Sequence, residues 1–508
     1  MNFFLSIISG FLIALSFPNF FIPFLFVLGF LIIFFLISKS SFRLSIIYSF
    51  LAGLSFYLLS LYWVNNAIIY YGDMNPTVSI LLYILLSSVL SLIQFVIPVS
   101  LTKILFIRHS YFAFVSFPFL WVWIEIVREF FPFTGFPWNL AGYSLSYINP
   151  LAQITEFVGI YGLSFLAVSI PVALFLFFSE KSIFSTVLLI VVSFVLLIST
   201  MYGYLKIKNF VPTGEKYKIG VLQGNIPQDM KRDINQKEKI VDIYISLFKK
   251  VAKENPDLVV LPESALPFPP LATKNPLKEK FFKEIKDLKI AFLTGYDNFF
   301  KLKGKLYLYN SVFLYDENHY SIYFYNKIKL VPFGEYVPTI FNPFKKLFPY
   351  LENFDFQPGK EITTLNYKKM RIIPLICFES IFSTFVGNFV KKGGNIIINI
   401  TNDAWFGKTS APFQHFEMAR VRAIENRLYL VRAANTGISA IVNPVGEIEK
   451  SLGLFERGYL VGDVFVDIYK KPTFYLRYRK ILILVLFILT LIVIFFKEKD
   501  YLNRIKRS

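Results

Sequence analysis

The chain has 508 residues, 55% of them hydrophobic and 19% aromatic, with a formal net charge of +19 and a single cysteine. That hydrophobicity exceeds what a soluble globular protein carries, so a membrane class has to be tested first. One cysteine excludes an intramolecular disulfide and any multi-cysteine zinc site, and a basic membrane protein needs no nucleic-acid partner to account for its charge.

In chain order, apolar runs near 3–17, 20–38, 44–64, 78–101, 111–128, 157–179 and 183–203 read as seven transmembrane helices, and 481–496 reads as an eighth, against the roughly 20 residues that cross a hydrocarbon core. The first and last are short. The opening run has no basic leader and no clear small-x-small cleavage site, so a retained span is expected rather than a removed signal. The pattern divides the chain into an N-terminal membrane domain (1–205), a normally charged segment (216–470) and a final span (481–496).

Orientation is read from the short loops. With the N-terminus inside, inner positions hold Lys39, Arg43, Lys103, Arg108 and Lys181, and the tail holds Lys497, Lys499, Arg504, Lys506 and Arg507. The outer short loops hold no Lys or Arg beyond Arg128 at a border. Both termini are therefore expected in the cytoplasm and the 216–470 segment outside it. The cluster RYRK (477–480) breaks the pattern, but large translocated domains largely escape this rule. The outer loop 130–150, rich in aromatics, Gly and Pro, suits a re-entrant element or an aromatic belt.

Between 216 and 470, short apolar runs at 217–226, 257–264, 289–298, 308–317, 371–380, 394–403 and 431–444 alternate with helical patterns at 234–253, 276–287 and 412–428. About 250 residues of this kind fit one layered α/β domain. Neither GxGxxG nor GxxxxGK[ST] occurs, so no cofactor is expected.

Three segments end on unusual polar groups. LPES places Glu263 directly after a buried run, YNKIKLVPFGEYVP carries Lys327, Lys329 and Glu335 around a Pro-Gly turn, and LICFES carries Cys377 and Glu379. Taken singly, each has a bland reading: a helix N-terminal acid, a surface lysine, a packed thiol. Together they form a chemical set, because a carboxylate can remove a thiol proton and an ammonium can stabilise the oxyanion formed when the thiolate attacks a carbonyl. His109, His319 and His415 have no evident acidic partner in the sequence and read as structural.

These motifs resemble the nitrilase (carbon-nitrogen hydrolase) superfamily, which implies an αββα sandwich with a Glu-Lys-Cys triad. With QGNIPQ (223–228), LVPFGEYVP (330–338), NDAWFG (402–407) and QHFEMARVRAIENRLYLVRAANTGIS (414–439) added, the chain is similar along essentially its whole length to the apolipoprotein N-acyltransferases, inner-membrane enzymes that add the third acyl chain to bacterial lipoproteins. The resemblance implies Glu263 as general base, Lys327 as oxyanion stabiliser and Cys377 as nucleophile. Lys327 rather than Lys329 is chosen because the family's lysine lies eight residues before the Glu of PFGE, here Glu335. Glu335 and Glu379 become auxiliary carboxylates, and Phe333, Phe378, Trp405 and Phe406 are candidate apolar contacts for substrate. Phe378 and Arg232 depart from the family, where Tyr and Trp are expected.

The reaction implied is a ping-pong transfer from a phospholipid, typically phosphatidylethanolamine, to the α-amine of a diacylglyceryl-cysteine at an apolipoprotein N-terminus. A monomer in the bacterial inner membrane is expected. A membrane-anchored amidase with the same triad leaves seven spans unexplained. A transporter or scaffold sits poorly with spans holding few ionisable residues, Glu125 among them.

Overall fold

The computed structural model describes residues 1–72, 74–271, 274–302, 305–341, 343 and 356–495. The chain forms two compact units, one from residues 1–65, 75–208 and the helix Phe474–Phe495, the other from 66–74 and 209–473.

In the first unit, six helices among the described residues are long and apolar enough to cross a membrane: Phe42–Ser60, Pro76–Ile107, Tyr111–Arg128, Thr155–Glu180, Ile183–Lys208 and Phe474–Phe495. The two opening segments form shorter apolar helices, Asn2–Leu15 and Phe24–Lys39. The last helix starts seven residues before the expected span, because the basic cluster 477–480 is helical rather than loop. The basic tail read from the sequence (Lys497 to Arg507) lies outside the described residues.

Helices without a hydrophobic drive to associate in lipid pack through shape and small residues. A Cβ at Gly10 would sit 1.8 Å from the Ala52 carbonyl oxygen, so the first and third helices touch backbone to backbone there. The remaining space is filled by rings: Trp121 packs edge-on against Phe30 and Phe95 at 5.1 and 5.0 Å, and Phe34 against Phe117 at 4.9 Å. The loop 130–150, which suits either a re-entrant element or an aromatic belt, folds back into this unit. Trp138, Leu140, Tyr143 and Leu145 are buried, while Phe130, Phe131 and Phe133 stay exposed. Buried Arg128 holds the fold-back by donating to the carbonyls of Phe136 (3.0 Å) and Trp138 (2.8 Å), and Glu125 accepts the Ala141 N–H at 2.6 Å.

The second unit is a pair of six-stranded sheets. Its strands are β1 (Glu215–Gln223), β2 (Leu258–Val260), β3 (Ala291–Leu302), β4 (Lys305–Tyr315), β5 (Ser321–Asn326), β6 (Leu365–Tyr367), β7 (Met370–Ile376), β8 (Ile396–Thr401), β9 (Leu430–Ala434), β10 (Ser439–Val442), β11 (Ile448–Leu452) and β12 (Gly458–Val466). One sheet has the order β12-β1-β2-β3-β4-β5 and the other β11-β10-β9-β8-β7-β6. Each has a parallel trio, β1-β2-β3 or β7-β8-β9, flanked by antiparallel strands.

Strands of a parallel core are covered on both faces, which is why β2, β8 and β9 are buried at every position and mostly apolar, with Asn399, Thr401 and Arg432 the polar exceptions. The sheets pack on each other, β1 against β9 and β4 against β7. Helices cover the outside: Lys237–Ala252 lies on β1 and β12, Ser383–Lys391 on β7 and Ala411–Asn426 on β9. This is the αββα layering expected from the motifs. The run 431–444, read as one strand, is the hairpin β9–β10, broken at Asn435-Thr436-Gly437.

Candidate active site

Loops that leave the carboxyl ends of parallel strands make the usual crevice of an α/β sheet, and Glu263, Cys377 and Asn402 all follow such strands. After β2 the chain continues through Leu261 and Pro262 to Glu263, then turns sharply at Ser264, whose φ is +46°. Gly295 of β3 faces this turn. A Cβ there would sit 2.7 Å from both Glu263 Cα and Ser264 N, so only glycine admits the approach. Glu263 is buried at 6% exposure. Its Oε1 accepts from Asn310 Nδ2 at 2.6 Å, and its Oε2 accepts from the Asn402 N–H, in the other sheet, at 2.8 Å. Burial pushes its carboxyl up; the Lys327 ammonium opposes this and the Glu335 charge adds to it.

Lys327 leaves the end of β5 and is 1% exposed. Its Nζ lies 2.8 Å from Glu335 Oε1 and 3.7 Å from Glu263 Oε1. Burial alone favours the neutral amine, but the two carboxylates outweigh it and hold Lys327 well above the ordinary lysine range. Glu335 is fixed in turn by donors from Asn310 Nδ2 (2.9 Å) and Val331 N–H (2.8 Å). Lys329 points away, with its ammonium 4.9 Å from the centre of the Phe382 ring. The geometry thus separates the two lysines that the sequence offered. Asn310, whose amide bridges Glu263 and Glu335, carried no signal beyond a polar residue inside an apolar strand.

Cys377 follows β7 and opens a 3-10 turn, Cys377–Ile381. Its φ is +50°, a left-handed conformation that costs a non-glycine residue about 1–3 kcal/mol and recurs at functional sites. Burial pushes the thiol up, Glu263 adds to that, and the Lys327 ammonium and a hydrogen bond from Thr401 act against it. The resting group is therefore a thiol that needs a base. Glu379 ties this turn to the lysine turn: Oε1 accepts from Tyr325 hydroxyl (2.7 Å), Ile328 N–H (2.7 Å) and Lys329 N–H (3.1 Å), and Oε2 from Ile376 N–H (2.9 Å). Burial pushes Glu379 up to about 7, against donors that favour the carboxylate.

Residues 9–173 match the apolipoprotein N-acyltransferase N-terminal domain, and residues 218–469 match the carbon-nitrogen hydrolase family. An apolipoprotein N-acyltransferase of Geobacter metallireducens is 36% identical over 94% of this chain and 91% of its own length. The chain belongs to the apolipoprotein N-acyltransferase family. A second such relative, from Aquifex aeolicus, is 38% identical over 80% of this chain and 88% of its own. Among solved structures, an amidase from Nesterenkonia sp. is similar over 55% of this chain and 98% of its own, at 19% identity and a TM-score of 0.38. With its six span-length helices, this family member is a bacterial membrane protein and an acyltransferase.

The four apolar candidates do not share one setting. Trp405 and Phe406 sit half-buried in the turn Asp403–Phe406 that follows Asn402, and half-buried Phe333 (φ +61°) packs its ring 5.2 Å from Phe341. Phe378 is buried and stacks edge-on with Phe382 at 5.0 Å, which makes it part of the packing behind the cysteine.

One reading of the sequence needs correction: His415 does have an acidic partner. Its Nδ1 lies 3.0 Å from Asp403 Oδ1, and its Nε2 lies 3.0 Å from the Cys377 carbonyl oxygen. Arg432 donates to Asp403 Oδ2 at 2.7 Å and also to Asn399. The NDAWFG and QHF strings held these residues, but Asp403 and His415 sit on different elements and only the fold joins them. Cys377, Asp403 and His415 also lie close enough to share a cation. Arg432 brings a positive charge to two of the three, 3.1 Å from His415 Nδ1 and 2.7 Å from Asp403 Oδ2. Lys231 was likewise not anticipated. It donates to the carbonyls of Glu263 and Ser264 (3.4 and 3.1 Å), and burial lowers it to about 8.

Proposed function

We propose that the chain moves an acyl chain from a phospholipid, with phosphatidylethanolamine the expected donor, to the N-terminal α-amine of a diacylated apolipoprotein, through a thioester on Cys377. The observation that carries the reading is the Glu263–Lys327–Glu335 cluster, in which buried Glu263 and Lys327 place their charges where they act on the Cys377 thiol. Glu263, raised by burial, suits a general base. It takes the thiol proton; the thiolate adds to the ester carbonyl; the oxyanion forms beside the Lys327 ammonium and the N–H of Phe378. Collapse breaks the C–O bond, and the lysophospholipid alkoxide leaves with the proton from Glu263. In the second half the neutral amine adds to the thioester, Glu263 takes its proton, and the C–S bond breaks to return the thiol and release an amide.

Exposing an acyl chain to water costs about 0.8 kcal/mol per CH₂, which favours a site that receives both lipids at a membrane surface. On this reading residues 216–470 form the catalytic domain on the periplasmic side of the inner membrane, 1–205 and 481–496 form the membrane part, both termini are cytoplasmic, and a monomer suffices.

The test is to incubate purified protein with phospholipid labelled in its acyl chain, look for a thioester on Cys377, then add a diacylated lipopeptide. Transfer to the lipopeptide is the expected outcome. Absence of an adduct on the wild type overturns the reading, and release of free fatty acid without transfer assigns a hydrolase instead. Cys377→Ala should fold and insert yet form no adduct. Headgroup variants of the donor then rank the substrates.

A further inference from the structure

The mechanism above leaves unused the fully buried cluster Asp403, His415 and Arg432 directly behind the nucleophile. The Cys377 carbonyl oxygen is an acceptor only, so His415 Nε2, 3.0 Å away, must carry the proton that joins them. An N–H of Arg432 is directed at Nδ1 at 3.1 Å, which makes Nδ1 the acceptor and leaves the neutral ring's proton on Nε2, where it faces the Cys377 carbonyl and also lies 3.1 Å from Ser380 Oγ. Asp403 is locked by Arg432 and by the Thr401 hydroxyl at 2.7 Å. Ser380 Oγ adds a second donor to the same carbonyl at 3.0 Å. Asn399 Nδ2 approaches the same carbonyl at 3.5 Å, and this carbonyl belongs to a residue in a left-handed conformation.

A trans peptide is planar, with C=O and N–H antiparallel. Holding the Cys377 oxygen toward His415 therefore points the Phe378 N–H to the opposite side. We propose that His415, anchored by Asp403 and Arg432, is a positioning residue for acyl transfer: it fixes the Cys377–Phe378 peptide plane and thereby aims the Phe378 N–H at the oxyanion. Its action is on the carbonyl chemistry and not on the thiol itself. The inference rests on the thioester reading above.

Two reactions of Cys377 separate these roles. Thioester formation from labelled phospholipid passes through an oxyanion; alkylation by iodoacetamide forms the S–C bond and expels iodide without one. In His415→Leu, thioester formation should slow by about 10²–10³-fold, the cost of one lost oxyanion donor, in kcat rather than KM, while alkylation proceeds at close to the wild-type rate. His415→Gln, whose side-chain N–H reaches the same carbonyl, should recover most of the loss. Equal slowing of both reactions in His415→Leu, or of neither, overturns the proposal, as does a Gln variant no better than Leu when both are folded. Should His415→Leu not fold, Ser380→Ala removes the hydroxyl that reaches both the same carbonyl and His415 Nε2; it should show the same split at smaller size, and equal loss in both reactions counts against the proposal. A wild-type protein that alkylates but never forms a thioester overturns the acyltransfer reading instead.

Discussion

Gly295 sets the most direct quantitative test of how tightly the base is placed. A Cβ at this position meets Glu263 Cα and Ser264 N at 2.7 Å and Ile400 Cδ1 at 3.0 Å. Ordinary contact between such atoms begins near 3.5 Å, so the Glu263 turn must recede by about 0.8 Å or β3 must bow outward. The turn has little freedom to do so, because the Glu263 carboxylate is pinned by Asn310 and Asn402, which belong to different sheets. Overpacking of this kind costs about 1–3 kcal/mol of stability. A displacement of about 1 Å in a catalytic group costs on the order of 100-fold in rate. Gly295→Ala should therefore remain folded, with a lowered Tm, and form the Cys377 thioester roughly 100-fold more slowly in single-turnover assays in detergent micelles. Gly295→Ser should be worse. A folded Gly295→Ala protein that acylates at the wild-type rate would refute the claim that the close approach of β3 places the base.

Three further outcomes follow from the charges around the site. In Glu335→Gln the loss of a neighbouring negative charge lowers the pKa of Glu263, so the acidic limb of kcat/KM, which rises as Glu263 loses its proton, should move to lower pH; an unmoved limb contradicts the coupling. The plateau should fall as well, since Lys327 loses its 2.8 Å partner. Glu379→Gln replaces one acceptor oxygen with an amide that must face either the Ile376 N–H or the three donors on Oε1; about 1–3 kcal/mol of stability should go, read as a lower Tm together with reduced acylation. Lys231 is charged below about 8, so wild-type activity should decline as pH rises through that value, and Lys231→Met should be slower at pH 7 and flat across it. A decline that survives in the Met variant assigns the limb to another group.

The parts of the site legible in the sequence were those whose chemistry is local. A carboxylate after VVLP, a thiol after an apolar run and a lysine before a Pro-Gly turn each contradict their immediate surroundings, and the motifs fixed their order. What could not be read was anything that needs two elements at once. Asp403 and His415 meet only because the helix Ala411–Asn426 packs against the turns that follow β7 and β8. Asn310 bridges Glu263 and Glu335 only because β4 lies beside β5. The strand β5 itself was missed, since its side chains at an exposed sheet edge are aromatic and polar without a buried face. Short strands such as β6, three residues long, carry too little pattern to register. In the membrane part, the helical runs were legible from hydropathy, but the fold-back of the 130–150 loop depends on Arg128 reaching carbonyls eight and ten residues ahead.

The strand order has a consequence for biosynthesis. The first strand of the sandwich, β1, lies between β2 and the last strand, β12, whose residues follow it by some 240 positions, and Glu263 and Lys327 stand on one sheet while Cys377 stands on the other. Pairings of such long sequence separation form late and slowly. A nascent chain therefore carries its cysteine as an ordinary thiol, with neither Glu263 nor Lys327 beside it, until almost all of the second unit has been made. On the proposed mechanism reactivity arrives with completion: a truncated or half-assembled chain would not capture an acyl group it is unable to pass on.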